Sequence, residues 1–254
     1  MSEVRFVAIG DSFTEGVGDE RADGTVRGWA DRVAQQWANN VGTPIEYANL
    51  AIRGRLAWPI VEEQLEPALA LNPTHLSFNA GGNDMLRPRA DMEHIVDAYS
   101  RVVRRCDEQG VAVILLSGAN PSRQLPLSTT IQRRGDVLSA AVLRRFAHRD
   151  DIVRALNWPD AELSRPPYWS SDRLHMNALG HRRVAARVLT ELGQQAPADW
   201  WQEPAERFEG PSGWAYYREF VGPWVHRRLT GTSSGDGRAA KHPEFIAVSP
   251  EAAA

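Results

Sequence analysis

Five short β-rich runs alternate with five helical patterns along the first three quarters of this chain, and no other feature restricts its fold so tightly. Residues 4–10, 45–50, 74–79, 111–117 and 151–156 are rich in β-branched and aromatic side chains. Between and after them come residues 28–39, 58–71, 91–109, 130–148 and 177–192. Trp29, Val33 and Trp37 recur four apart in the first of these. Ile95, Tyr99, Val102 and Cys106 form one apolar stripe in the third, which Gly110 ends. In the last, Val184, Val188 and Leu192 fall on one side and Arg182, Arg183 and Arg187 mostly on the other. Strands separated by helices predict a doubly wound α/β fold with a parallel five-stranded sheet. Ligands in such sheets bind beyond the carboxyl ends of the strands, so those ends are where chemistry is expected.

The chain has 254 residues, enough for one sizeable domain and short for two. We expect that domain to span residues 1–193. Residues 194–230 read as an aromatic-rich extension: Trp200, Trp201, Trp214 and Trp224 are four of the nine tryptophans. A helix is expected over 214–229, interrupted at Pro223. Residues 231–254 are small, polar and proline-containing, and read either as disordered or as an arm that wraps the domain. Net charge is −3, which argues against a nucleic-acid partner. The single cysteine, Cys106, excludes an intrachain disulfide and sits on an apolar stripe, where a buried small hydrophobe is expected. The N-terminus lacks the basic start, apolar stretch and cleavage site of a secretory leader, and no run approaches the ~18 apolar residues of a membrane span. A cytoplasmic protein is the expectation.

Three polar clusters follow the first three strands, GDSFTEG (10–16), NLAIRGR (49–55) and NAGGND (79–84), and a fourth, SDRLHMN (171–177), comes just before the last helix. Ser12, at a sharp strand-to-helix turn, is exposed at the sheet edge and also fits a plain helix N-cap. A serine hydroxyl needs an adjacent base to act as nucleophile, and histidine suits that task at neutral pH. His175 lies three residues after Asp172, a spacing that lets the carboxylate reach one ring nitrogen while the other faces outward. That aspartate also fits a helix cap. Acyl transfer passes through a tetrahedral oxyanion that needs preorganised donors. The backbone N–H of Ser12, the unobstructed N–H of Gly54 and the side-chain amide of Asn83 are candidates. Read singly, Gly54 is a turn glycine and Asn83 a turn or cap.

Together, GDSFTEG, Gly54, GGND and DRLH in this order resemble the SGNH (GDSL) hydrolase family, from Arg5 to about Leu192. The resemblance implies a flavodoxin-like three-layer α/β/α sandwich without metal or other cofactor. It implies Ser12 as nucleophile and first oxyanion donor, Gly54 and Asn83 as the other donors, His175 as base and Asp172 as its orienter. Phe13 stands where the family usually has leucine, which touches no mechanism. The tail, with RRL followed by SSGDG, looks like those of actinobacterial members, one of them a mycobacterial octanoyltransferase acting on methylglucose lipopolysaccharide precursors; this is the weaker resemblance.

Asp11 is expected to organise the turn beside Ser12. Trp58, Arg123, Tyr168 and Trp169, with Arg53 and Arg55, lie near the motif blocks and are candidates for substrate contacts; each equally fits a core or surface role. Two enzymatic readings use the same residues: an esterase that passes the acyl group from Ser12 to water, and an acyltransferase that passes it, for instance octanoyl from acyl-CoA, to a sugar hydroxyl such as that of a glucosylglycerate. A phosphate-binding α/β module is the third reading. It lacks G-x-G-x-x-G and the Walker lysine and leaves Asp172 and His175 without a role.

Overall fold

Strand β1 (Arg5–Ile9) divides its side chains between two cores: Val7 and Ile9 enter one, Phe6 and Ala8 the other. β2 (Ile45–Asn49), β3 (His75–Phe78), β4 (Ala112–Ser117) and β5 (Val153–Leu156) complete a parallel set. A strand covered on both faces is apolar at nearly every position, which is why β1 and β4 read as continuous rather than alternating. Fully burying each such side chain contributes about 1.5–3 kcal/mol. The structure is a computed structural model and describes residues 3–204, 213–222, 230 and 232–251.

Helices α2 (Trp29–Val41) and α8 (Ala178–Glu191) cover one face of the sheet. The other face carries the segment α3 (Ala57–Ile60) to α4 (Glu66–Ala70), with α6 (Met92–Gln109) and α7 (Ser128–Arg145). α3 and α4 are joined by a π turn, Val61–Leu65. Pro67 follows it; a proline cannot donate to the carbonyl four residues back and clashes with it, and a π turn absorbs that defect. Cys106 is buried.

The sheet order is β5-β4-β3-β1-β2-β6. It corrects the expected count of five strands. The sixth, β6 (His242–Val248), comes from the tail and pairs antiparallel with the outer edge of β2. His242, Pro243 and Glu244 disguise it: none of the strand's seven residues is buried, and an edge tolerates a proline. In the extension, α9 (Gly213–Tyr216) continues into a π turn, Tyr217–Val221. Trp224 and the rest of the helix expected to 229 lie outside the described residues.

β1 is the switch point of the sheet. The chain leaves it toward β2 on one side and later returns to β3 on the other, so a crevice opens beyond the carboxyl ends of β1 and β3. The first and third polar clusters lie there.

Candidate active site

Ser12 begins a one-turn helix, α1 (Ser12–Glu15), directly after β1. Asp11 caps that turn: its Oδ1 accepts from the Phe13 N–H at 3.1 Å. The turn is tied from behind by Gln64, in the π turn, whose side chain accepts from the Gly10 N–H (2.9 Å) and donates to the Gly10 carbonyl (3.0 Å). Gln64 is buried, so both bonds are shielded from water. Asn49, at the end of β2, donates to the Thr14 carbonyl at 3.0 Å and steadies the other end of α1. Neither side chain was foreseen as a site residue. The available signal was a glutamine interrupting an otherwise apolar helical face.

Asn83 lies in α5 (Gly82–Met85), one turn beyond β3. Tyr99 of α6 fixes the approach to it. Its hydroxyl accepts from the Ala80 N–H at 3.1 Å and lies within hydrogen-bond distance of the Ala80 and Leu116 carbonyls, one of which takes its proton. The Asn83 Nδ2 donates to the Arg55 carbonyl at 3.0 Å and to Asp11 Oδ2 at 3.2 Å. The second cluster is thereby joined to the first and third. Arg53 adds another link: its N–H and guanidinium both bind the Glu15 carboxylate. Glu15 and Arg53 therefore neutralise each other across the two loops.

The fourth cluster is a tight loop ahead of α8, capped by Asn177, whose side chain accepts from the Leu179 and Gly180 N–H groups. Asp172 Oδ1 accepts from the Ser170 hydroxyl (2.7 Å) and from the Leu174 and His175 N–H groups (both 2.9 Å). Its Oδ2 stands 2.6 Å from His175 Nδ1. Burial raises the Asp172 carboxyl, but the histidine and these donors outweigh it and hold the group well below the usual carboxylate range. The aspartate is thus ionised, and its contact with Nδ1 leaves Nε2 pointing away from it.

Asp11 behaves oppositely. Burial, with the Asp84 charge adding to it, pushes its carboxyl up to about 6 against the bond from Phe13. His181 is fully buried, and desolvation pushes it down to about 3, so it stays neutral; its Nδ1 accepts from the Trp29 N–H at 3.2 Å.

Ser12, Asn83 and His175 line one cavity of about 110 Å³, together with Asp11 and Trp169. It extends beneath α7, where Leu115, Ile131, Gly135, Leu138, Val142 and Trp158 form its walls. At about 10–15 Å³ for a water-sized group, it has room for roughly seven to eleven of them. Of the residues expected to touch substrate, Trp169 lines this cavity and donates its indole N–H to the Leu163 carbonyl. Trp58 stacks on His94 and donates to its carbonyl, Tyr168 is buried with its hydroxyl on Glu162, and Arg123 is exposed. Gly54, with φ +79°, sits in the 53–55 loop beside the Arg55 carbonyl that holds Asn83.

Residues 8–183 match the GDSL-like Lipase/Acylhydrolase family. No curated protein matches the sequence. Among solved structures, the lipase Lip_vut3 from a goat rumen metagenome is similar at 16% identity and a TM-score of 0.63, over 76% of this chain and 100% of that one. A catalytic mutant of an acetylxylan esterase from Geobacillus stearothermophilus is similar at 18% identity and a TM-score of 0.62, over 79% and 97%. The psychrotrophic esterase EstA from a Pseudoalteromonas species, inhibited by monoethylphosphonate, is similar at 14% identity and a TM-score of 0.58, over 75% and 97%. At these identities the likeness is one of fold. Among the described residues, no helix is long and apolar enough to cross a membrane.

Proposed function

This chain belongs to the GDSL-like lipase/acylhydrolase family, enzymes that act on esters, and we propose that it does so through a covalent acyl-enzyme on Ser12. The observation that carries this reading is His175: its Nδ1 is held by an ionised Asp172 at 2.6 Å, while it lines the same cavity as Ser12. Asp172 favours the tautomer with the proton on Nδ1, which leaves a lone pair on Nε2. Nε2 takes the Ser12 hydroxyl proton as Oγ bonds to the ester carbonyl carbon. The tetrahedral intermediate then collapses, and the same proton passes to the departing alkoxide. Water repeats the sequence: Nε2 takes its proton as its oxygen bonds to the acyl carbon, the acyl–Oγ bond then breaks, the proton passes from Nε2 to Oγ, and the acid leaves.

The oxyanion is stabilised by donors fixed beforehand. The Ser12 N–H opens α1, where helix N–H groups have no partner in the helix. Asn83 contributes the proton now directed at Asp11, the longer of its two bonds, while its bond to the Arg55 carbonyl holds the amide in place. Gly54 is the third donor. The mainly apolar lining of the cavity suits the acyl chain, short or medium in length.

Transfer of the acyl group to a sugar hydroxyl, with acyl-CoA as donor, uses the same residues. The apolar lining favours it to the extent that water is scarce around the acyl-enzyme. Ser12→Ala should abolish turnover of nitrophenyl esters by purified protein; full turnover in that variant ends the nucleophile assignment. Incubation with octanoyl-CoA and a glucosylglycerate then separates the acceptors, because hydrolysis yields only free octanoate.

A further inference from the structure

The chain beyond α8 comes back to the site at two separate places. One is a turn at residues 233–238, just ahead of β6. It is held internally: the Ser233 N–H donates to Asp236 Oδ2 (2.7 Å), the Gly235 N–H to Ser233 Oγ (3.2 Å) and the Arg238 N–H to the Gly235 carbonyl (3.1 Å). Its outer side lies directly on the 53–55 loop. A Cβ added to Gly235 would stand 2.1 Å from the Arg53 carbonyl oxygen, and one added to Gly54 would stand 2.2 Å from Ser233 Oγ. The two backbones touch with a glycine on each side. Between them the Arg55 guanidinium is paired with Glu63 at 2.8 Å and faces Asp236 at 3.7 Å. β6 then pairs with β2, Tyr47 opposite Ile246, so the sheet itself sets where the turn sits.

The other place is α9. Tyr216 is buried, its ring lies 4.2 Å from the Arg173 guanidinium carbon, and its hydroxyl donates to the Asp172 carbonyl at 3.2 Å. Arg173 has φ +60°, a backbone state disfavoured for arginine, within the loop that carries Asp172 and His175. The tyrosine braces that loop at the residue in the disfavoured backbone state and at the one before it.

We propose that the C-terminal segment is a clamp on the active site: the 233–238 turn positions the oxyanion loop, and Tyr216 positions the loop of the acid and base. This rests on the acyl-enzyme reading given above. A merely stabilising tail could cover the β2 edge without touching residues 53–55. Here, displacing that loop moves the Gly54 N–H and also the Arg55 carbonyl that holds Asn83, two of the three donors at once. Gly235, Ser233 and Tyr216 are not among the residues that line the cavity; they are positioning residues.

The test compares full-length wild type, Gly235→Ala, Ser233→Ala, Tyr216→Phe and, as a control on the exposed side of β6, Glu244→Ala. For each, kcat and KM on a nitrophenyl ester are measured with the Ki of a boronic acid that mimics the tetrahedral intermediate. Gly235→Ala should lower kcat and raise the boronate Ki together by about 10- to 100-fold, short of the about 10²–10³ for losing a whole oxyanion donor, with KM unchanged. Tyr216→Phe should lower kcat about two- to tenfold, the worth of one neutral hydrogen bond. Glu244→Ala should match wild type. Hydrogen exchange of the 52–56 amides, which needs no activity, should quicken in Gly235→Ala and Ser233→Ala. If Gly235→Ala fails to fold, Ser233→Ala carries both readouts. Unchanged exchange, or wild-type kcat and Ki in the folded variants, overturns the clamp. Full turnover in Ser12→Ala overturns the acyl-enzyme reading instead, and the exchange data still decide whether the turn holds the loop.

Discussion

Gly135 stands in the middle of α7, where glycine costs about 1 kcal/mol relative to alanine. The structure explains its presence: a Cβ there would lie 1.9 Å from the Trp158 ring. Ordinary contact begins near 3.4 Å, so Gly135→Ala requires the indole to move by about 1.5 Å. Trp158 is fixed on its backbone side, where its N–H donates to Ser117 Oγ, and its ring swings toward the cavity that it already lines. The indole also loses its bond to Asp136, 2.8 Å in the native fold and worth about 1 kcal/mol. Overpacking adds about 1–3 kcal/mol, against the helix gain of about 1, so the variant should be less stable by about 1–3 kcal/mol. The displaced ring removes space for about one or two methylenes, each worth about 0.8 kcal/mol when buried. The kcat/KM for octanoyl esters should therefore fall about 4- to 15-fold relative to acetyl esters. Urea melts and a nitrophenyl ester series from acetate to decanoate measure both effects. Loss of stability with an unchanged chain-length profile would mean that the acyl chain does not enter beneath α7. No loss of stability would refute the packing account itself.

Asp172→Asn keeps an acceptor for the loop N–H groups but loses the charge that orients His175. The kcat should fall about 10⁴-fold with KM little changed, read from steady-state kinetics. Asp11 has its carboxyl moved from 3.8 to about 6 by burial, which corresponds to about 3 kcal/mol. Because that value is raised, the group favours the fold below about pH 4 and its contribution is lost as pH rises through about 6. The stability of wild type minus that of Asp11→Asn should thus drop by up to about 3 kcal/mol between pH 4 and 7; parallel urea-melt curves would contradict this. Asp19→Ala strands the buried Arg32 guanidinium, which both Nε and Nη2 now direct at Asp19 Oδ2, and should cost about 3–5 kcal/mol in chemical denaturation.

The parallel strands and the polar clusters after the first three of them were legible because each depends on local composition: a covered strand is mostly apolar, and a loop at a strand end is polar. Cys106 in the core follows the same logic, standing on the apolar stripe of its helix. What stayed hidden depends on long-range pairing. Gln64 lies 54 residues from the glycine it holds, and nothing near it in sequence announces that contact. Arg53 reads as a substrate contact when taken alone, yet it faces Glu15, 38 residues away. β6 was missed because none of its residues is buried and its opening residues carry no strand pattern.

That sixth strand also orders events in time. β2 is made among the first fifty residues, but its partner is about two hundred residues further along the chain. Until residues 242–248 have left the ribosome, β2 presents an open row of N–H and C=O groups, the kind of edge on which chains add to one another. A contact of such sequence separation forms late and slowly. During synthesis the nascent sheet therefore has its other strands before it has a closed edge, and that interval is when the edge is open to pairing with another chain.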